Sequence, residues 1–298
     1  MSGSITQTPG DWRNFTTRFP IAACRVTTEG FKLLYRLIDE RQREYGDKIL
    51  AEQAQQPNET PEAFAARKLT ISGAFITSVT VTAKNGETIT ANNEGIFDKG
   101  SFPAELRSVF YSTISIPQAV LKHQPTDRII VFLDFSHPPA LDFSRLPTLA
   151  TPNESNFEIV ASNEAWFVLG KQRLTEFFRE RRASSDWIHA AGMYDALSFL
   201  LGFPLAVWGC AKLESVLPVI DNLSVIPRSL IYAYAFLASL TAFRVMFSYS
   251  RWVFPKMEVL GDIRRSPFRH RAAWTAAASA LFWPAIYDLA KVIIAYMR

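Results

Sequence analysis

Asp134 and His137 stand three residues apart in the stretch DFSHPP. An acid and an imidazole at that spacing are an acid/base pair in prospect, one group holding the proton that the other gives up. The competing reading is a polar cap where a strand leaves a sheet, since neither a nucleophile nor a metal ligand accompanies them. The other histidines, His123, His189 and His270, are scattered. No phosphate-cradling glycine loop, H-E-x-x-H or G-x-S-x-G occurs. The two cysteines, Cys24 and Cys210, form no C-x-x-C, which excludes a Cys-rich zinc site and argues against a disulfide framework. No catalytic group beyond Asp134 and His137, no metal and no cofactor is expected.

A second set of residues stands out by where it falls. Asp195, Arg244, Asp288 and Lys291 lie inside long apolar runs. A charge in hydrocarbon is costly, and such groups pair, line a wet cavity or reach the headgroups. With ~1.5 Å of rise per helical residue, Arg244 and Asp195 come to similar depths, roughly 8 and 12 Å from one face. They are expected either to pair across two helices or, for Arg244, to snorkel. Asp288 and Lys291 are spaced for a local pair on one helix face.

The third set is basic. Arg179, Arg181 and Arg182 end the segment KQRLTEFFRERR, and Arg264, Arg265, Arg269 and Arg271 crowd a later loop. Placed beside a bilayer they attract anionic headgroups, by about 1 kcal/mol per residue. Nucleic acid ranks last among partners, because no stacking platform accompanies these charges.

These residues need two kinds of scaffold. The 298-residue chain carries a net charge of +4, with 48% hydrophobic residues. That average hides a mixed, polar N-terminal part and an apolar C-terminal third. Three segments, about 187–210, 229–249 and 272–297, are long enough to cross a ~30 Å hydrocarbon core. Basic residues flank the first span on its N-terminal side and fill the loop between the second and third. The loop between the first and second carries only Lys212 and Arg228. That alternation places the N-terminal domain in the cytosol and the C-terminus outside, in a plasma or inner membrane. Cys24 is then expected on the cytosolic side. Pro204 and Pro284 are candidate kinks, and Ala273, Ala277 and Ala276 or Ala280 form a small-residue seam.

The N-terminal part, 1–185, reads as α+β. Residues 29–56 form a helix with Phe31, Leu34, Leu37 and Ile38 on one face and Arg36–Glu40 and Asp39–Arg43 pairs on the other. The stretch from Lys68 to Phe97 alternates with period two around Asn85-Gly86, a hairpin signal. ELRSVFYSTISI, DRIIVFLDFS, NFEIVAS and AWFVLG read as further strands, the second central, with Asn163-Glu164 as a turn. A helix over 171–182 leads to the membrane part, 186–298. The expected fold is a mostly antiparallel sheet of five or six strands with flanking helices, followed by an all-α bundle of three transmembrane helices.

Three functions fit. The first is a membrane-anchored recognition protein, whose cytosolic domain binds a protein partner or ligand and whose spans anchor it and support a homo-oligomer. The second is a ligand-gated effector that forms a pore. The third is a tethered enzyme using Asp134 and His137.

Overall fold

The stripe Phe31, Leu34, Ile38 continues to Tyr45 and is buried along helix α1, Thr28–Ala51. Thr27 caps that helix, its hydroxyl accepting from the Gly30 amide at 3.0 Å. The computed structural model describes residues 15–98, 100, 102–103, 105–139, 147–260 and 268–297. They fall into two compact units, the first made of the described residues of Met1–Ser136, Asn153–Arg182 and Met257–Gly261. The second takes those of His137–Pro152, Ala183–Lys256 and Asp262–Arg298.

Unit 1 is built on a six-stranded antiparallel sheet with flanking helices. Its strands are β1 (Phe15–Pro20), β3 (Ser78–Ala83), β4 (Thr88–Ala91), β5 (Leu106–Ser112), β6 (Arg128–Asp134) and β7 (Asn156–Ala161). The spatial order is β1-β7-β6-β5-β3-β4, so β6 is internal, as its apolar run requires. Val81, Val109, Tyr111, Val131 and Ile159 cover one face of the sheet. Phe31 and Leu34 of α1 join them in a single core with Leu174 and Phe177 of helix α4, Glu164–Glu180. The β3–β4 hairpin turns at Asn85-Gly86, where Gly86 takes φ of +91°, a region open to glycine.

Two expected strand segments are helical. Lys68–Ala74 belongs to helix α2, Pro61–Ala74, capped by Thr60. AWFVLG opens α4, because Asn163 caps rather than turns: its side chain accepts from the Trp166 amide at 3.0 Å. Phe167, Gly170, Leu174 and Phe177 are then buried at helical spacing. Of the helical ion pairs expected on α1, Asp39–Arg43 forms at 2.6 Å. Arg36 instead reaches Glu94 at 2.6 Å, and Glu40 takes Arg173 at 2.9 Å. Helix α3, Ser115–Leu121, follows β5 where that strand was expected to run on.

A smaller sheet was not expected at all. Strand β2, Cys24–Thr27, runs directly into α1 and pairs in parallel with β8, Met257–Leu260. On its other edge Cys24 bridges to Arg182, and the Arg25 amide donates to the Arg181 carbonyl at 2.9 Å. Alternate backbone groups of one four-residue strand therefore hold the segment that leaves unit 1 and the segment that returns to it.

Among the described residues two stretches, both in unit 2, are long and apolar enough to cross a membrane, Met193–Leu213 and Val225–Val253. The first comprises α5 (Met193–Leu197), a π turn over Ser198–Gly202 and α6 (Phe203–Val216); the second is α7. The π turn lies directly before Pro204, whose ring and missing N–H disturb the preceding turn. The first of these stretches begins later than the span expected over 187–210, after a 3-10 turn at Asp186–His189 and Gly192 with φ of +74°. Where a third span was expected, Phe268–Met297 forms one helix, α8. Several of its side chains lie outside the described residues. Small residues of the first apolar stretch pack against α7. A Cβ on Gly202 would meet the Phe243 ring at 3.1 Å, one on Gly209 would meet Ser239 Oγ at 3.4 Å, and Ala206 between them is fully buried. Ala273 and Ala277 are exposed.

Candidate functional site

Asp134 ends β6 as a cap. One carboxylate oxygen accepts from the Ser136 amide at 2.9 Å and the other from the Glu154 amide at 3.2 Å. Both oxygens are thus committed to the backbone turn, and His137 is exposed. Asp134 therefore caps the end of its strand.

The opposite end of the sheet is more polar and more buried. Where β3 begins and β5 ends, Thr77, Ser78, Ser112 and Thr113 are all buried. Asp39 accepts from the Thr77 amide at 2.9 Å, and fully buried Gln42 donates to the Thr113 carbonyl at 3.1 Å. Burial pushes the Tyr35 hydroxyl well above its ordinary range, so it stays protonated and donates to the Asn92 carbonyl at 2.6 Å.

Beside this end a groove opens between α1 and the first turn of α4. From α1 come Arg41, Tyr45 and Lys48; Asp127, just before β6, closes one end; Ala165 and Trp166 form the far wall. Arg41 is only 4% exposed, although it carries a full charge. Its Nη2 pairs with Glu44, and its Nε meets no acceptor. Asp127 Oδ1 accepts from the Ser162 amide at 2.7 Å and from its hydroxyl at 2.8 Å. Sequence reading missed Arg41 and Gln42, yet the signal was there. Both continue the stripe of Phe31, Leu34 and Ile38, so a charge and an amide stand on a buried face.

The basic residues divide by role. Arg181 lies over the Phe177 ring at 4.0 Å and donates to the Phe177 carbonyl at 2.9 Å. With Arg182 and Arg25 it lines a shallow cleft beside β2, where Arg25 pairs with Glu258 at 3.2 Å. Arg179 is exposed and pairs with Glu176 at 3.2 Å. Arg269 is exposed, and Arg271 donates to the Val253 carbonyl at 3.3 Å. Arg264 and Arg265 lie outside the described residues.

In unit 2 Asp195 accepts from Thr148 Oγ1 at 3.0 Å, and Arg244 is half-buried in α7. Asp288 is held by Trp208 Nε1 at 3.0 Å and by Lys212 Nζ at 2.8 Å, both on α6. These partners stand on another helix, while Lys291, the expected local partner, lies over the Tyr287 ring at 4.5 Å.

A second polar knot ties the end of α7 to the segment before the first span. Arg251, 7% exposed, donates to the Ile188 carbonyl at 3.1 Å. His189 bonds Thr151 Oγ1 through Nδ1 at 2.9 Å and the Phe254 carbonyl through Nε2 at 2.8 Å. Burial lowers the His189 pKa to about 4, and the neighbouring Arg251 and Lys256 charges add to the effect. The stretch Asp186–His189 repeats the acid-x-x-His spacing of Asp134–His137, and only its histidine is buried. Among the described residues no three His, Cys, Asp or Glu side chains gather as metal ligands would.

In comparisons with known proteins, no family model, no curated protein and no solved structure matches the chain.

Proposed function

We propose that this is an integral membrane recognition protein: unit 1 binds a ligand or partner on the cytosolic side, and the apolar helices anchor it. The observation that carries the reading is the outward apolar surface of the two helices. Phe199, Val225, Ile226 and Tyr234 are each at least 72% exposed. Only 11% of each apolar window is buried, unlike the core helices of a soluble bundle, and this supports the reading. Lipid is the environment that would cover them. A third span in α8, an inside-out alternation of basic residues and a cytosolic unit 1 belong to the same proposal. Exposed Arg179 and Arg269 then face anionic headgroups.

Orientation is tested with single cysteines in intact cells. Cys24 does not serve, because it is fully buried and shielded from any reagent. Glu87→Cys at the exposed hairpin tip and Asn222→Cys between the two spans are exposed on the two sides of the proposed topology. In a background lacking Cys210, an impermeant thiol reagent should label Asn222→Cys alone. Labelling of Glu87→Cys alone would invert the topology, and equal labelling of both would remove the membrane reading.

A ligand-gated effector is the second reading, favoured by β2. An anchor needs one covalent connection; here the strand that starts α1 grips both segments leading to and from the apolar helices. It predicts conductance in liposomes that changes on neutralising Asp195 or Arg244. A double swap, Asp195→Arg with Arg244→Asp, should recover what either single change loses. A swap that behaves worse than both singles rules out the pair.

A further inference from the structure

We propose that the groove between α1 and the start of α4 binds a small organic anion, a carboxylate or phosphate monoester on an aromatic or apolar body, with Arg41 as its main partner. The inference rests on reading unit 1 as a recognition unit and names the class of its ligand.

Three independent features converge there. The first is Arg41. A guanidinium that is 4% exposed has lost most of its hydration, and Glu44 alone takes one of its nitrogens while Nε goes unused. Buried donors without acceptors are rare and costly, and guanidinium is shaped for the paired oxygens of a carboxylate or phosphate. The second is the α4 terminus, a helix of 17 residues. Asn163 Oδ1 takes the Trp166 amide and the Asn163 carbonyl takes that of Phe167. The amides of Glu164 and Ala165, in the first turn, have no acceptor within the helix, and such donors attract negative charge. The third is the wall. Trp166 and Leu169 offer apolar surface beside these donors, and the Trp166 indole N–H is already spent on the Arg41 carbonyl at 3.3 Å.

Formal charge alone does not choose the ligand, because Arg41 and Lys48 are matched by Glu44 and Asp127. What distinguishes the groove is its donors: Arg41 Nε is buried without an acceptor, and the first amides of α4 have none within their helix, the chemistry that an anion supplies.

The test uses the full chain in lipid nanodiscs, with empty nanodiscs as background, and two probes: benzoate and phenyl phosphate. Benzyl alcohol, of the same shape and uncharged, is the comparison. Titration calorimetry should show saturable binding of at least one anion and much weaker binding of the alcohol. Which anion binds tells carboxylate from phosphate. Arg41→Gln should weaken binding by about tenfold or more, the loss of a charge-assisted hydrogen bond. Because a buried substitution can harm folding, Ala165→Phe is the second variant. Ala165 is exposed, so the ring fills the groove without touching the core, and it should also abolish binding. Absence of saturable binding of both anions to the unmodified protein overturns the proposal. So does binding that survives Ala165→Phe, or that benzyl alcohol equals. Thiol labelling of Glu87→Cys and Asn222→Cys reads the membrane proposal separately, so failure of one does not imitate failure of the other.

Discussion

His189 shows how a residue's role depends on its surroundings rather than its spacing. It is 3% exposed and bonded at both ring nitrogens, with a pKa held at about 4. In the unfolded chain its pKa is about 6.5. The unfolded state therefore takes up a proton first as the pH falls. Stability is full above about 6.5 and declines until the folded pKa is reached. Between pH 7 and pH 5 the loss should be about 2 kcal/mol. Thermal melts of the reconstituted protein at the two pH values measure it, and His189→Gln should remove most of the difference. An unchanged pH response in that variant would mean another group carries it. Asp134 makes the contrasting case. Asp134→Ala strips the acceptors from two backbone amides and should cost about 1–2 kcal/mol. His137→Ala, at an exposed position, should cost less than Asp134→Ala. The sequence shows two acid-x-x-His stretches and nothing in either that says which histidine is buried. Arg41 was legible in principle, because the stripe that identifies α1 passes through it.

Among the elements, those with a strong local period were readable and those defined by distant partners were not. α1, the hairpin at Asn85-Gly86, β5, β6 and β7 follow from alternation or helical spacing within their own residues. β2 and β8 are four residues each and exist because they find one another across more than 200 residues of chain. The start of α4 was misread because Trp166, Phe167 and Val168 favour strands locally, while the Asn163 cap and the spacing of Phe167, Gly170 and Leu174 favour a helix. The seam in the first span was overlooked for a different reason: Gly202, Ala206 and Gly209 acquire meaning only against Phe243 and Ser239 of α7. Gly202→Leu should drive a side chain into the Phe243 ring and cost about 1–3 kcal/mol. Gly209→Ala meets only ordinary contact and should be nearly silent. Melting temperatures of both variants in one detergent decide this, and equal effects would argue against the seam.

At the scale of the whole molecule, unit 1 is discontinuous. Met257 is 2% exposed in its core and Glu258 pairs with Arg25, so a segment beyond both apolar stretches completes it. The fragment 15–182 should accordingly be unstable or aggregate. Joining residues 257–261 to it through a flexible linker should restore a cooperative melt. A fragment that melts cooperatively without them would show that β8 is dispensable.

The position of β8 also sets an order of events during synthesis. Soluble domains commonly fold as they leave the ribosome, N-terminal part first, at about 5–20 residues per second. Here the strand that closes the domain is made roughly 75 residues after Arg182, a delay of about 4–15 s at that pace. Through that interval β2 has one edge uncovered. In the proposed topology both apolar helices meet the insertion machinery before unit 1 is finished. Under that topology a chain stalled between Lys256 and Leu260 would carry inserted helices and an open domain, a state that quality-control proteases can recognise.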